Sequence, residues 1–116
     1  MDSVEISRLK ARSIAGTIEY VPNSVVRKTI IRRPTGNICV MSFDTGKGIK
    51  GKILPFDSFV QIIDGKAEIL IGGISHCVQA GQGIIIPAYL ANAFTANERF
   101  KMMLTTIKPA VTRKTP

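Results

Sequence analysis

The stretch FVQIIDGKAEILIGGISHCVQAGQGIIIP, residues 59–87, decides the fold. It holds four runs of strand length: FVQIID (59–64), KAEILI (66–71), SHCVQ (75–79) and GIIIP (83–87). Glycine stands at every junction, as Gly65, Gly72-Gly73 and Ala80-Gly81. Short runs rich in β-branched residues and punctuated in this way read as strands joined by tight turns. Asp64-Gly65 predicts a two-residue hairpin, because glycine takes the positive φ that such turns demand. GIIIP is apolar at alternate positions on both sides, which predicts a strand covered on both faces, as in a jelly-roll interior.

The pattern extends in both directions. VVRKTIIRR (25–33) is closed by Pro34 and Gly36, and NICVMSF (37–43) by DTGKG. KIL (52–54) is stopped by Pro55; NAFT (92–95) and FKMMLTTI (100–107) follow, the last stopped by Pro109. About nine short strands with turns every ~8–12 residues predict an all-β sandwich or barrel. Helix is scarce. Only residues 2–12 offer one, with Asp2 or Ser3 as a cap and Val4, Ile6 and Leu9 as a weak apolar face. This gives an N-terminal extension over 1–20, a barrel over 21–108 and a solvated tail over 109–116.

The whole chain has 116 residues and 12.6 kDa, enough for one domain with a core of its own. No apolar run approaches the ~18 residues of a membrane span. The charged N-terminus MDSVEISRLKARS does not read as a signal peptide, so the expected location is the cytoplasm. Cys39 and Cys77 lie in apolar runs and read as reduced core thiols. Sixteen Lys and Arg against eight Asp and Glu give a net charge of +8. The cations are scattered in small groups without interleaved aromatics, so a solvated surface is the expectation and a nucleic-acid partner is not.

Two glycine-anchored spacings carry a resemblance. Gly46 is followed by five residues, a short strand and a run ending at Gly65; Gly81 is followed by five residues and Pro87. Over residues 46–97 this resembles the two motifs of the cupins, and the flanking strands look like those of small single-domain cupins of the conserved-barrel type. The resemblance implies an all-β, double-stranded β-helix (jelly-roll) barrel. It also implies where a metal would sit. The histidine and glutamate positions of the first motif fall on Lys52, Leu54 and Ser58, and the histidine of the second falls on Asn92. Tyr89 stands where the second motif carries glycine, and Ala96 where it ends in asparagine. Leucine cannot ligate, lysine must lose its proton first, and serine and asparagine are weak neutral donors. The lone His76 lies on another strand. The expectation is a barrel that keeps its shape without metal or other cofactor.

Strand alternation sets the candidate site. Ser58, Val60 and Ile62 share one face, and Asn92 and Phe94 share another stretch of the lining. With Lys52 at the mouth, these six are the candidate ligand-binding residues. Lys52 reads either as an anion clamp or as a lysine extending past the rim. His76 has no acid near it in sequence; Asp57 and Glu98 are the acids flanking the presumed mouth. The first functional reading is a binding or regulatory module for a small, possibly anionic ligand. The alternative is a metal-independent isomerase or lyase acting on a small anionic or sugar-like substrate. A homodimer is expected, because VVRKTIIRR and FKMMLTTI carry aliphatic side chains on both faces.

Overall fold

Ser58–Ile71 runs as one strand of 14 residues, and the rest of the barrel is arranged along it. The computed structural model describes residues 10–109. The strands are β1 (Val25–Arg33), β2 (Gly36–Phe43), β3 (Gly48–Lys50), β4 (Ser58–Ile71), β5 (Ile74–Gln79), β6 (Gly83–Ile86), β7 (Asn92–Thr95) and β8 (Phe100–Ile107). A 3-10 turn at Ala15–Thr17 is the sole helical element among the described residues. Every strand pair is antiparallel. The first half of β4 lies between β8 and β6, in the sheet that also holds β2 and β1. Its second half lies between β7 and β5, with β3 beyond β7. The expected all-β jelly-roll barrel is the observed one.

The crossing from one sheet to the other corrects the expected hairpin at Asp64-Gly65. Both residues sit inside β4, paired with Lys101 and Phe100, and the register slips between Ile62 and Asp64. Gly65 has φ 74°, and a Cβ there would run into the Arg99 carbonyl. The positive φ therefore serves a bulge that bends the strand, not a chain reversal. The reversal comes at Gly72-Gly73, where φ values of 57° and 85° close a two-residue turn between the paired Ile71 and Ile74.

KIL (52–54) is the second correction. The strand in this region is Gly48–Lys50, paired with β7, and Lys52–Leu54 lies outside it. The ladder ends where the Gly51 amide donates to the Asn92 carbonyl. With one run moved and two fused, the described residues form eight strands.

Alternation along the strands sends Phe43, Val60, Ile62, Ile69, Phe94, Phe100 and Met102 into one core. Phe43 and Phe100 stack with centroids 4.4 Å apart, and Phe94 tilts against Phe43 at 6.2 Å. This aromatic cluster fills one end of the barrel. Burying side chains of this size contributes roughly 1.5–3 kcal/mol each.

A second cluster lies on the outer face of β1, β2 and β8. Ile18, Ile30 and Val40 are buried there against Val26, Ile38, Ile63 and Met103. The cover is the chain's own N-terminal segment. Lys101 Nζ donates to the Ala15 carbonyl at 2.7 Å, Lys28 Nζ to that of Thr17 at 3.1 Å, and Ser42 Oγ to that of Glu19 at 2.9 Å. Tyr20 donates to the Asp64 carboxylate and lies beneath Arg99 and Lys101. Part of the apolar face that the sequence assigns to a neighbour is thus covered within the chain. The helix expected over 2–12 falls mostly outside the described residues, and residues 10–12 are not helical. Of the expected tail, Pro109 alone is described. Cys39 is buried as expected, whereas Cys77 is exposed. It stands opposite Glu68 on the outer side of β5, while its neighbour Val78 points inward.

Candidate functional site

The end of the barrel away from the stacked phenylalanines is open and holds a cavity of about 350 Å³. That lies in the ~300–1,000 Å³ range of small-molecule sites. Antiparallel register builds one wall. Asn37 on β2 pairs with Thr106 on β8, Thr106 with Ser58 on β4, and Ser58 with Ile86 on β6. Residues paired across antiparallel strands face the same way, so the four side chains form one inward row, and all four line the cavity. Below them lie Leu104, Met102 and Met41. Ile49, Asn92 and Phe94 line the facing wall.

The rim is made of two connecting segments tied together by backbone bonds. The Tyr89 amide donates to the Leu54 carbonyl at 2.8 Å, and the Ala88 amide to Asp57 Oδ1 at 2.8 Å. Tyr89 keeps φ 65°, the left-handed conformation suited to the glycine it replaces in the motif, and its side chain is exposed. Around this rim stand Lys50, Lys52 and Lys108, Arg27 lines the cavity from β1 opposite Met41, and no Asp or Glu among the described residues lines it.

The four side chains at the motif's metal positions, Lys52, Leu54, Ser58 and Asn92, all line this one cavity. Their chemistry does not fit a transition metal. Leu54 offers no donor atom, and Lys52 is exposed at the rim. Asn92 uses its amide nitrogen to donate to the carbonyls of Leu90 and Lys52, at 3.2 and 3.4 Å. That leaves two neutral oxygens, Ser58 Oγ and Asn92 Oδ1, far short of the three or more His, Cys or carboxylate ligands such sites use. No cluster of three His, Cys, Asp or Glu side chains exists elsewhere among the described residues.

Of the six candidate residues, Lys52, Ser58, Asn92 and Phe94 line the cavity. Val60 and Ile62 share the face of Ser58 but lie deeper, fully enclosed in the core, and do not reach it. Asn37, Thr106, Lys108, Arg27 and Lys50 line it without having been singled out. Thr106 follows Met102 and Leu104 at spacing two, and that alternation was the available signal. The candidate acid–base groups lie elsewhere. His76 is half-buried on β5 opposite Ile69, Asp57 holds the Ala88 amide, and Glu98 borders a shallow polar depression with Lys66.

Shifted titrations also lie away from the cavity. Burial and the Asp64 carboxylate push the Tyr20 hydroxyl upward. Backbone amides of Asn23 and Thr45 hold Asp44 below the usual carboxylate range, and Ser75 and Asn97 do the same for Glu68.

No family model and no curated protein matches the sequence. Solved structures do. A conserved Streptococcus pyogenes protein of unknown function is 29% identical, with TM-score 0.87 over 96% of this chain and 97% of that one. A cupin 2 conserved barrel domain protein from Leptotrichia buccalis is 30% identical, with TM-score 0.78. The match spans 82% of this chain but 46% of that one. A cupin superfamily protein from Desulfitobacterium hafniense shares the fold at TM-score 0.84 and 20% identity. Among the described residues no helix is long and apolar enough to cross a membrane.

Proposed function

Since this chain is a small cupin domain, we propose that it is a metal-independent binding module that takes a small anionic molecule into the open end of its barrel. One observation carries the reading: among the described residues, four cations and no acid border a cavity whose floor is apolar. A charge at the mouth of an apolar cavity acts through a lower effective dielectric than one on an open surface, so the rim selects anions. Met41, Met102, Leu104 and Phe94 accept the carbon skeleton. Lysine is the one general acid–base side chain among the described residues that line the cavity, with no His, Cys, Tyr, Asp or Glu beside it, which favours binding over turnover.

The test is a thermal-shift and calorimetric screen of carboxylates and phosphates against wild type, Lys52→Met and Lys108→Met. Binding of an anion that weakens by more than about 1 kcal/mol in each variant supports the reading. Equal affinity of all three proteins for every anion refutes it.

We also propose a homodimer, formed through the outer face of the sheet that holds β4 and β6. Phe59, Ile85 and Ile107 remain exposed there at 39%, 58% and 69%, beyond the reach of the N-terminal segment's cover. Exposed apolar side chains gathered on one face mark an interaction surface.

A further inference from the structure

The polar row on the cavity wall points to a more specific ligand. Five polar side chains of the described residues are buried: Thr17, Thr29, Ser42, Ser58 and Thr106. Three of them are bonded within the protein. Thr17 Oγ1 donates to the Ile14 carbonyl at 2.6 Å, Ser42 Oγ donates to the Glu19 carbonyl, and Thr29 Oγ1 accepts from Arg32 at 3.5 Å. The two that carry no such bond are Ser58 and Thr106, each 8% exposed, and both line the cavity. They stand directly opposite each other on β4 and β8. Every fully enclosed side-chain oxygen and nitrogen of the described residues has a partner, so these two hydroxyls open into the cavity. Asn37, next in the row, lines the cavity as well.

Hydroxyls that open into a cavity are bonded by whatever fills it, either water or a polar group of a ligand. We propose that the ligand of this cavity is a hydroxylated carboxylate. Its hydroxyl bonds Ser58, Thr106 and Asn37 on one wall, its carboxylate meets the rim cations, and its hydrocarbon lies against Phe94, Met102 and Leu104. This rests on the anion-binding reading above. Lys108 lies two residues beyond Thr106, just past the end of β8, and lines the cavity as well. The charged group is therefore held nearer the mouth than the hydroxyl.

The experiment titrates straight-chain carboxylates of four to eight carbons and their 2-hydroxy and 3-hydroxy counterparts into three proteins. These are wild type, the double variant Ser58→Ala/Thr106→Val, and Lys52→Met. The better hydroxy acid is expected to bind wild type at least about fivefold more tightly than its parent acid. The double variant is expected to lose that preference while still binding the parent acid. Its melting temperature without ligand is expected to be no lower than that of wild type, since it removes hydroxyls that hold nothing in the protein. Equal affinity for parent and hydroxy acids in wild type overturns this proposal and leaves the anion site standing. A double variant that melts several degrees lower also overturns it, because the hydroxyls would then be holding the fold. Failure of every acid to bind overturns both readings.

Discussion

The Asn92 side-chain amide lies across Gly51, in the space where any other residue would carry its Cβ. The Gly51 amide donates to the Asn92 carbonyl at 3.0 Å, and Asn92 Nδ2 reaches back to the carbonyls of Lys52 and Leu90. At a position where the cupin motif implies a metal ligand, this chain has a latch that fixes the rim of its cavity. Gly51→Ala is expected to destabilise by about 1–3 kcal/mol, the usual cost of overpacking. In an Asn92→Ala background the same change is expected to cost less than half as much. Urea denaturation of the four proteins of this cycle measures the coupling, and purely additive effects would remove the latch.

The protein purified from cells is expected to carry no stoichiometric transition metal. Elemental analysis checks it: near-equimolar iron, zinc, manganese or nickel, lost on chelation, would contradict the reading of Lys52, Leu54, Ser58 and Asn92. Restoring donors at all four positions, as Lys52→His, Leu54→His, Ser58→Glu and Asn92→His, is expected to create measurable zinc affinity if the barrel keeps its geometry.

Much of this site was legible because spacing places residues on a common scaffold. Lys52, Ser58 and Asn92 follow from distances to Gly46, Gly65, Gly81 and Pro87, and the cavity does collect them. Asn37 and Lys108 were hidden: Asn37 enters through its pairing with the distant Thr106, and Lys108 from just past β8, where its amide bonds the Thr35 carbonyl. Val60 and Ile62 show the limit of alternation. It gives the face of a strand but not the reach of the cavity: Val60 and Ile62 pair with Leu104 and Met102, which line it, yet are themselves enclosed in the core. The Asp64-Gly65 misreading has a similar origin. A turn and a bulge ask for the same positive φ, and only the pairing with Phe100, 35 residues later in the chain, separates them.

Tyr89 offers a test of backbone strain. At φ 65° a residue with a Cβ costs about 1–2 kcal/mol relative to an unstrained conformation, and the Tyr89 side chain is exposed. Tyr89→Gly is expected to stabilise the fold slightly or leave it unchanged, although glycine elsewhere loosens the unfolded chain at a cost of about 0.5–1 kcal/mol. A loss above ~1 kcal/mol on denaturant unfolding would mean that the Tyr89 ring holds the rim in place.

Tyr20 predicts a response to alkali. Burial first, and then the Asp64 carboxylate, raise its hydroxyl above the ordinary value of 10.0. A group whose folded pKa is raised gives its full stabilisation below the unfolded pKa and loses it as pH climbs toward the folded one. Stability is therefore expected to fall as pH rises past about 10. Tyr20→Phe is expected to lower the melting temperature at neutral pH, because the bond to Asp64 is gone, and to flatten the alkaline decline. Identical slopes for the two proteins above that pH would show that Tyr20 does not carry the effect.

The oligomer tests what the outer face is for. Phe59 pairs with Ile85 on β6 and with Thr105 on β8, and its ring lies over Gly83. The pairing sets Phe59 and Ile85 side by side on the outer side, with Thr105 next to them, opposite to the inward Ser58 and Val60. Further along the same sheet Ile18 covers Val40 and Ile30, so this patch is the part left bare by the chain's own N-terminal segment. Two copies that joined their bare patches would hide both without disturbing that cover, and a two-fold arrangement needs only one self-complementary patch. Light scattering at micromolar concentration is expected to give twice 12.6 kDa for the wild type. Phe59→Lys/Ile85→Lys is expected to give the monomer mass with an unchanged far-ultraviolet spectrum, since neither side chain enters the core. A wild-type mass of one chain across the concentration range would dismiss the dimer. A dimer that persists in the double variant would move the contact to another face.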